Sequence, residues 1–142
     1  MGVYDAKLVR PIAETMLQMG MKRAAVVHGS GLDEVAIHGE TLVAEIKDGQ
    51  ITEYTLAPED FGLDAHPLEA IKGGEPEENR AIITDMLTGK GTDAQLGAVA
   101  VNVALLMKLF GHDDLKSNAQ QAIDAMNSGK AYQLVQQLAE RG

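Results

Sequence analysis

Cysteine and tryptophan are absent from this sequence, and its 142 residues include only three tyrosines and two phenylalanines. Without cysteine, the chain cannot be a disulfide-stapled domain, use a thiol nucleophile or hold zinc through cysteine ligands. The same absence fits an intracellular, reducing compartment, and we expect a cytoplasmic protein.

Positively charged residues are also scarce, with 12 lysines and arginines against 21 aspartates and glutamates and a net charge of −9. An acidic surface repels nucleic acid and anionic lipid, so we expect neither as a partner. The longest apolar stretch, residues 96–110, is interrupted by Asn102 and Lys108 and is too short to cross a membrane. We therefore expect a buried helix there. The residues after Met1 lack the basic and apolar regions of a secretory signal.

The length and composition suit one globular domain that begins with a helix. Asp5 is a candidate N-cap, and apolar residues recur at helical spacing as far as Gly20, a natural stop. Pro11 fits the interior of this helix poorly, so we expect a kink or a start close to Pro11. The predicted apolar face comprises Leu8, Val9, Ile12, Ala13, Met16 and Leu17.

Three strands are predicted next. The run of residues 23–28 is rich in alanine and valine and indicates a short buried strand. Two further segments, residues 41–46 and 51–56, contain many β-forming residues and lie on either side of Asp48-Gly49. This dipeptide is a strong hairpin signal.

Four helices are predicted in the rest of the chain. Pro76 opens the first, whose predicted buried face is Ile82, Ile83, Met86 and Leu87. Residues 92–95 form a capping box before a helix that is apolar nearly all round. Amphipathic helices at residues 114–128 and 130–141 follow. We expect an α/β fold, a partial mixed sheet with a β-hairpin, flanked by one N-terminal and about four C-terminal helices.

The stretch VVHGSGLDEV, residues 26–35, begins like a phosphate-binding turn. Gly29 and Gly31 have the spacing of a dinucleotide fingerprint, but Glu34 occupies the third glycine position. Its side chain and charge would repel a pyrophosphate, so we reject this interpretation.

A second glycine-rich stretch, TGKGT at residues 88–92, lacks the P-loop pattern. Thr84 stands where that pattern requires its first glycine, and Lys90 is followed by Gly91 rather than by serine or threonine. We interpret the stretch as the end of one helix joined to the start of the next.

Asp33 and Glu34 are candidate ligands of a hard cation. Adjacent carboxylates point in different directions, so they can hold one ion and reach toward a second. Magnesium usually takes one or two protein carboxylates together with phosphate oxygens, and a bound cation would turn this acidic turn into a phosphate site. A pair of acids in a solvated loop or in a first helical turn is the simpler interpretation. Residue chemistry alone leaves both open.

The remaining polar candidates are weaker. The histidines have neither zinc spacing nor cysteine partners, so we expect hydrogen-bonded or exposed side chains without a catalytic role at His28, His38, His66 and His112. Of the four, only His28 stays a candidate for the site, since it lies at the mouth of the turn that carries the acidic pair. Ser30 lies between two glycines, but the nucleophile-elbow pattern fails because His28 precedes Gly29.

Four sequence blocks, in one consistent order, resemble a known enzyme family. They are GVYDAKLVRPIAETMLQMGMKRAAVVHGSGLDEVAIHGETLVAEI, GGEPEENRAIITDMLTGKG, NVALLMKL and AIDAMNSGKAYQLVQQL. Together they resemble the C-terminal part of anthranilate phosphoribosyltransferase, from Gly2 to the end of the chain.

The resemblance implies a reaction in tryptophan biosynthesis. The phosphoribosyl group of phosphoribosyl pyrophosphate passes to the nitrogen of anthranilate, and pyrophosphate leaves. The resemblance also implies a small helical domain before a large α/β domain, a homodimeric complete enzyme, and magnesium ions that bridge the pyrophosphate to Asp33 and Glu34. These carboxylates would hold metal that neutralises leaving-group charge, and would not act as acid or base.

Other family features have no counterpart in residues 1–142. They are the glycine-rich pyrophosphate loop, the basic phosphate-binding residues, the anthranilate-binding arginine and the N-terminal helical domain. We therefore expect residues 1–142 to be one segment of the α/β domain, with Met1 as an added start. We expect this segment to be inactive alone and to self-associate.

Two alternatives stay open. One is a segment of a nucleoside phosphorylase of the same broad fold, against which the acidic pair argues. The other is a non-catalytic acidic module that binds metal or a protein partner.

Overall fold

The computed structural model describes residues 1–141 and places a three-stranded sheet between two layers of helices. The strands are β1 (Arg23–Gly29), β2 (Thr41–Lys47) and β3 (Gln50–Leu56), paired antiparallel in the spatial order β1-β2-β3. The predicted hairpin is confirmed, because Asp48 and Gly49 join β2 to β3 with φ angles of +53° and +77°. Positive φ at both positions matches the twist of the flanking strands.

Helix α1 (Val9–Gln18) covers one face of the sheet. A 3-10 turn at Ala6–Leu8, capped by the Asp5 carboxylate, precedes it. Pro11 therefore lies in the first turn of α1, where its missing N–H breaks no helical hydrogen bond. The predicted start close to Pro11 is confirmed. The core of this layer comprises Val3, Val9, Ala13, Ala24, Val26, Ala44 and Ile46.

Helices α3 (Asp93–Leu109) and α4 (Leu115–Asn127) cover the opposite face. The predicted capping box is confirmed, since Thr92 and Gln95 exchange side-chain to backbone hydrogen bonds of 3.1 and 3.3 Å. Helix α3 is buried along much of its length because it packs against both the sheet and α4. The main core residues of α3 are Ala100, Val101, Ala104 and Leu105.

Helices α2 (Pro76–Leu87) and α5 (Lys130–Arg141) lie outside these two cores. Pro76 starts α2 as predicted, but the predicted buried face of α2 is wrong. None of its residues is fully buried, and Ile83 is about half exposed. The reason is that α2 packs mainly on α4 and α5 and lies away from the sheet.

The predicted order of one N-terminal helix, a hairpin-containing sheet and four C-terminal helices is confirmed. The parallel component of the predicted mixed sheet is limited to a single bridge, in which Gly2 pairs with Val27 alongside β1. Within residues 1–141, no helix combines the length and hydrophobicity needed to cross a bilayer.

Candidate functional site

Asp33 and Glu34 lie in the loop that joins β1 to β2, just beyond the carboxyl end of β1. This stretch is not helical, and both residues are exposed. In the part of the chain that the structure describes, neither carboxylate belongs to an ion pair. The described residues also contain no cluster of three or more acids and histidines arranged to hold a metal. The pair could therefore supply at most part of a coordination shell.

The loop is fixed on its N-terminal side by β1. Gly29 and Leu32 exchange two backbone hydrogen bonds of 2.9 and 3.0 Å. The N–H of Gly31 donates to Nε2 of His28 at 3.3 Å, so Nδ1 of His28 carries the ring proton and donates to the carbonyl of Val3 at 2.9 Å. Both ring nitrogens are occupied by backbone. His28 therefore supports the turn and offers no free nitrogen to a metal.

Two glycines make room for the backbone of the acidic pair. A β-carbon on Gly2 would overlap the carbonyl of Asp33, and one on Gly29 would overlap the carbonyl oxygen of Glu34. Gly29 does not have a positive φ, so close approach and not turn geometry requires glycine there. Gly31, with a φ of +98°, is the residue that the turn geometry itself requires to be glycine. Gly29 thus makes room for a carbonyl group of the loop itself, whereas a β-carbon on Gly31 would meet open space.

Helix α3 and strand β2 fix the loop on its C-terminal side. The N–H of Val35 donates to Oδ1 of Asn102 at 2.9 Å, and Nδ2 of Asn102 donates to the carbonyl of Val35 at 3.0 Å. The N–H of Ala36 donates to Oγ1 of the buried Thr41 at 2.9 Å. Sequence reasoning missed both anchors. The available signal was the polar Asn102 in the middle of an apolar run of α3.

The acidic pair lies at the edge of a cleft of about 320 Å³. Its walls combine the edge of β1 with the apolar side of α3, and the lining includes Val27, Asn102 and Leu106. Two exposed carboxylates at the edge of a cleft can bind a hard cation whose remaining ligands are water or phosphate oxygens.

The other polar candidates do not join this pair. Nε2 of His38 donates to the carbonyl of Ser30 at 3.1 Å, and the Ser30 hydroxyl donates to the carbonyl of Glu40 at 2.8 Å. These bonds close the same loop on itself, and Ser30 is not held by a histidine as a nucleophile would be. His66 lines a separate cleft of about 260 Å³ beside the start of α3. His112 is exposed beyond the end of α3.

The TGKGT stretch is a helix junction, as predicted. Gly89 has a φ of +78° directly after the C-cap of α2. Thr92 then caps α3. None of these residues lines the cleft beside the acidic pair.

Comparison with known proteins identifies the family. Residues 1–132 match the model of the glycosyl transferase family, a/b domain. The chain belongs to this family. It is 87% identical over 139 residues to the anthranilate phosphoribosyltransferase of Vibrio parahaemolyticus, with 98% of this chain and 42% of that protein covered. This glycosyl transferase chain thus spans about two-fifths of the length of the curated relatives it matches.

Solved structures agree with the sequence match. The anthranilate phosphoribosyltransferase of Thermus thermophilus superposes with a TM-score of 0.85 at 36% identity, covering 96% of this chain and 40% of that one. The Saccharomyces cerevisiae enzyme in complex with PRPP and Mg gives 0.82 at 30% identity, covering 93% and 39%. The same yeast enzyme in complex with 4-fluoroanthranilate gives 0.80 at 29% identity, again covering 93% and 39%. The resemblance of this glycosyl transferase chain to anthranilate phosphoribosyltransferase is confirmed.

Proposed function

We propose that this chain is the part of an anthranilate phosphoribosyltransferase that binds magnesium, through Asp33 and Glu34, beside the pyrophosphate of phosphoribosyl pyrophosphate. One observation carries the proposal. Two exposed carboxylates without an ion-pair partner within residues 1–141 lie at the edge of a cleft. Their loop is fixed by hydrogen bonds on both sides. Relatives with Mg and PRPP bound support the choice of ligand.

The donor set fits a hard cation. Asp33 and Glu34 supply anionic oxygen ligands, and water and phosphate oxygens would complete the shell. Magnesium, when bound there, neutralises the charge that develops on the departing pyrophosphate. The protein's contribution is geometric, since β1 and α3 hold the loop before substrate arrives. We assign no general base among the site residues.

The chain alone supplies one side of the reaction centre. The lining of the 320 Å³ cleft includes no lysine or arginine to contact phosphate. We propose that residues 1–142 are the C-terminal part of the α/β domain. The remaining phosphate contacts and the anthranilate contacts then belong to the rest of a homodimeric enzyme. The cytoplasmic location expected from the sequence stays a prediction.

Fragment complementation tests this function. The chain is mixed with the remaining N-terminal portion of the Vibrio parahaemolyticus relative, and phosphoribosylanthranilate formation is measured with magnesium present. We expect turnover from the mixture and none from either part, because one metal-binding corner cannot orient two substrates. Turnover by the 142-residue chain alone contradicts the expected inactivity. A mixture that forms a complex without turnover contradicts the assignment as an enzyme segment.

A further inference from the structure

Asn102 links the acidic loop to a different layer of the fold. It lies in α3, 67 residues along the chain from Val35, and lines the same cleft as Asp33 and Glu34. Its carboxamide makes three hydrogen bonds. Oδ1 accepts from the N–H of Val35, and Nδ2 donates to the carbonyls of Val35 and Ala98 at 3.0 and 2.9 Å.

The orientation of the Asn102 carboxamide is determined by its partners. Nδ2 faces two carbonyl oxygens, and the opposite orientation would place Oδ1 against both of them and leave the Val35 N–H without an acceptor. The side chain therefore pairs with both backbone groups of Val35, as a neighbouring strand would. The third bond, to Ala98 one turn earlier in α3, fixes the side chain on its own helix.

These bonds have a direct consequence for the acidic pair. Leu32, directly before Asp33, is fixed to Gly29 of β1 by two backbone hydrogen bonds. Val35, directly after Glu34, is fixed to Asn102. Only the two acidic residues lie between these fixed points, so the bonds to Asn102 restrict the path of the backbone from which the two carboxylates extend.

We propose that Asn102 is a positioning residue, which holds Asp33 and Glu34 in the geometry that binds a divalent cation. This inference rests on the proposed function. Groups that orient metal ligands from outside the coordination shell typically change metal affinity by about 10–100-fold when they are removed. Three of the four hydrogen-bonding sites of the Asn102 carboxamide, including both Nδ2 hydrogens, are used by backbone groups, so its contacts are those of a side chain that holds the loop.

Another helical asparagine provides a matched control. Asn118 in α4 is buried and donates from Nδ2 to the carbonyls of Ala104 and His112 at 3.3 and 2.6 Å. It fixes the turn after α3 and has no hydrogen bond to the acidic loop. Substituting Asn118 removes buried amide hydrogen bonds and lowers stability in general, without releasing Val35.

The experiment uses the 142-residue chain with Mn²⁺ as the probe. Paramagnetic broadening of the amide signals of residues 33–35 gives the dissociation constant for Mn²⁺, and hydrogen exchange reports the release of Val35. In Asn102→Leu we expect roughly tenfold faster exchange at Val35 and about 10–100-fold weaker Mn²⁺ binding. In Asn118→Leu we expect the Mn²⁺ affinity and the relative protection of Val35 to stay unchanged. Asp33→Asn serves as the direct ligand variant.

The possible outcomes distinguish failure of the proposed metal site from failure of the positioning role of Asn102. If the unsubstituted chain shows no Mn²⁺ broadening at residues 33–35, the proposed metal site fails and the role of Asn102 fails with it. If the unsubstituted chain binds Mn²⁺ and Asp33→Asn does not, but Asn102→Leu binds as tightly as the unsubstituted chain, only the positioning role is overturned. Equal weakening by Asn102→Leu and Asn118→Leu also overturns it, because the effect is then one of general stability.

A conservative variant keeps the test decisive if Asn102→Leu does not fold. Asn102→Gln retains the carboxamide but places it one methylene farther from α3, so it cannot keep the present bonds to Val35 and Ala98 together. We expect a smaller loss of Mn²⁺ affinity in the same direction, accompanied by faster exchange at Val35. Faster exchange at Val35 with full Mn²⁺ affinity overturns the proposal.

Discussion

The backbone of Gly29 lies directly against the carbonyl oxygen of Glu34, with no space for a β-carbon between them. A turn that has the glycine spacing of a phosphate site is therefore used to pack one piece of protein backbone against another. Asp33 and Glu34 themselves stay exposed. The carbonyl of Glu34 thus fills the space beside Gly29 in which a phosphate site would hold its anion.

Gly29→Ala should destabilise the fold through this contact. The new methyl would overlap the Glu34 carbonyl and lie 2.8 Å from both the β-carbon and the nitrogen of Ala36. Overpacking of this kind costs about 1–3 kcal/mol, which urea unfolding would measure. Adding Ala36→Gly should restore only part of the loss, because the Glu34 carbonyl stays in place. Full recovery in the double variant would show that the carbonyl contact is unimportant.

Lys108→Met should remove a buried ion pair between α3 and the sheet. The nearly buried carboxylate of Glu45 accepts hydrogen bonds from Lys108 Nζ and from the Tyr54 hydroxyl, the latter at 2.7 Å. Removing Lys108 leaves the nearly buried charge of Glu45 without its ionic partner. We therefore expect a decrease of about 3 kcal/mol in the free energy of unfolding.

The control for Lys108→Met is Arg10→Met. Arg10 pairs with Glu14 and Glu53 at the surface, where all three side chains are well exposed. Exposed pairs contribute little to stability. Equal losses in the two methionine variants would contradict the role assigned to the Lys108 pair.

Glu45 should make stability decrease in acid. Burial raises the pKa of Glu45, but hydrogen bonds from Lys108 and Tyr54 outweigh it and hold the pKa below its ordinary value of 4.5. The unfolded chain then binds the proton more readily. The stabilisation from Glu45 is present above pH 4.5 and is lost as the pH falls through the folded-state pKa. Urea unfolding of the parent chain and of Glu45→Gln over this range should give curves that converge in acid. Curves that stay parallel contradict the prediction.

Asp33→Asn and Glu34→Gln should slow the complete enzyme more than they weaken its binding of anthranilate. In the proposed function, both carboxylates hold magnesium at the leaving pyrophosphate and make no contact with the aromatic substrate. Loss of one preorganised electrostatic contact costs about 3 kcal/mol, or roughly a hundredfold in rate. Steady-state kinetics with varied magnesium would measure this, with Glu40→Gln as the control at the far end of the same loop. Near-normal rates at saturating magnesium, or rescue of the double variant by added magnesium, would count against the assignment.

The isolated chain should self-associate, and the structure indicates where. Residues 1–3 already pair with part of the β1 edge, since Val27 donates to the Met1 carbonyl and accepts from Val3, both at 2.9 Å. A second exposed feature is an apolar pair of side chains. Leu106 and Phe110, one turn apart at the end of α3, are 54% and 76% exposed. Burying such area is favourable by about 25 cal/mol per Å².

Sedimentation at increasing ionic strength tests this association. Salt screens the repulsion between chains that each carry a net charge of −9, so we expect the associated fraction to increase with salt. Leu106→Lys should reduce association. A monomer at every salt and protein concentration contradicts the prediction.

The sequence by itself determined the local elements of this protein. The capping box at Thr92, the Asp48-Gly49 hairpin and the start of α1 near Pro11 depend on hydrogen bonds and steric contacts between residues a few positions apart. Composition and periodicity also indicated a deeply buried α3. The choice between a metal pair and a solvated pair at Asp33 and Glu34 came from family resemblance, because two adjacent acids have the same local chemistry in both cases.

Tertiary structure decided which faces and backbone groups find partners. The apolar face of α2 predicted that this face is buried. An apolar face does not specify which element the helix packs against, and α2 packs on other helices away from the sheet. Asn102 meets Val35 across 67 residues, and Lys108 meets Glu45 across 63. Such pairings depend on how closely two backbones approach after the layers have packed. A local sequence pattern does not specify that distance. The contact of Asn102 with Val35, which supports the acidic loop, could therefore be identified only in the folded structure.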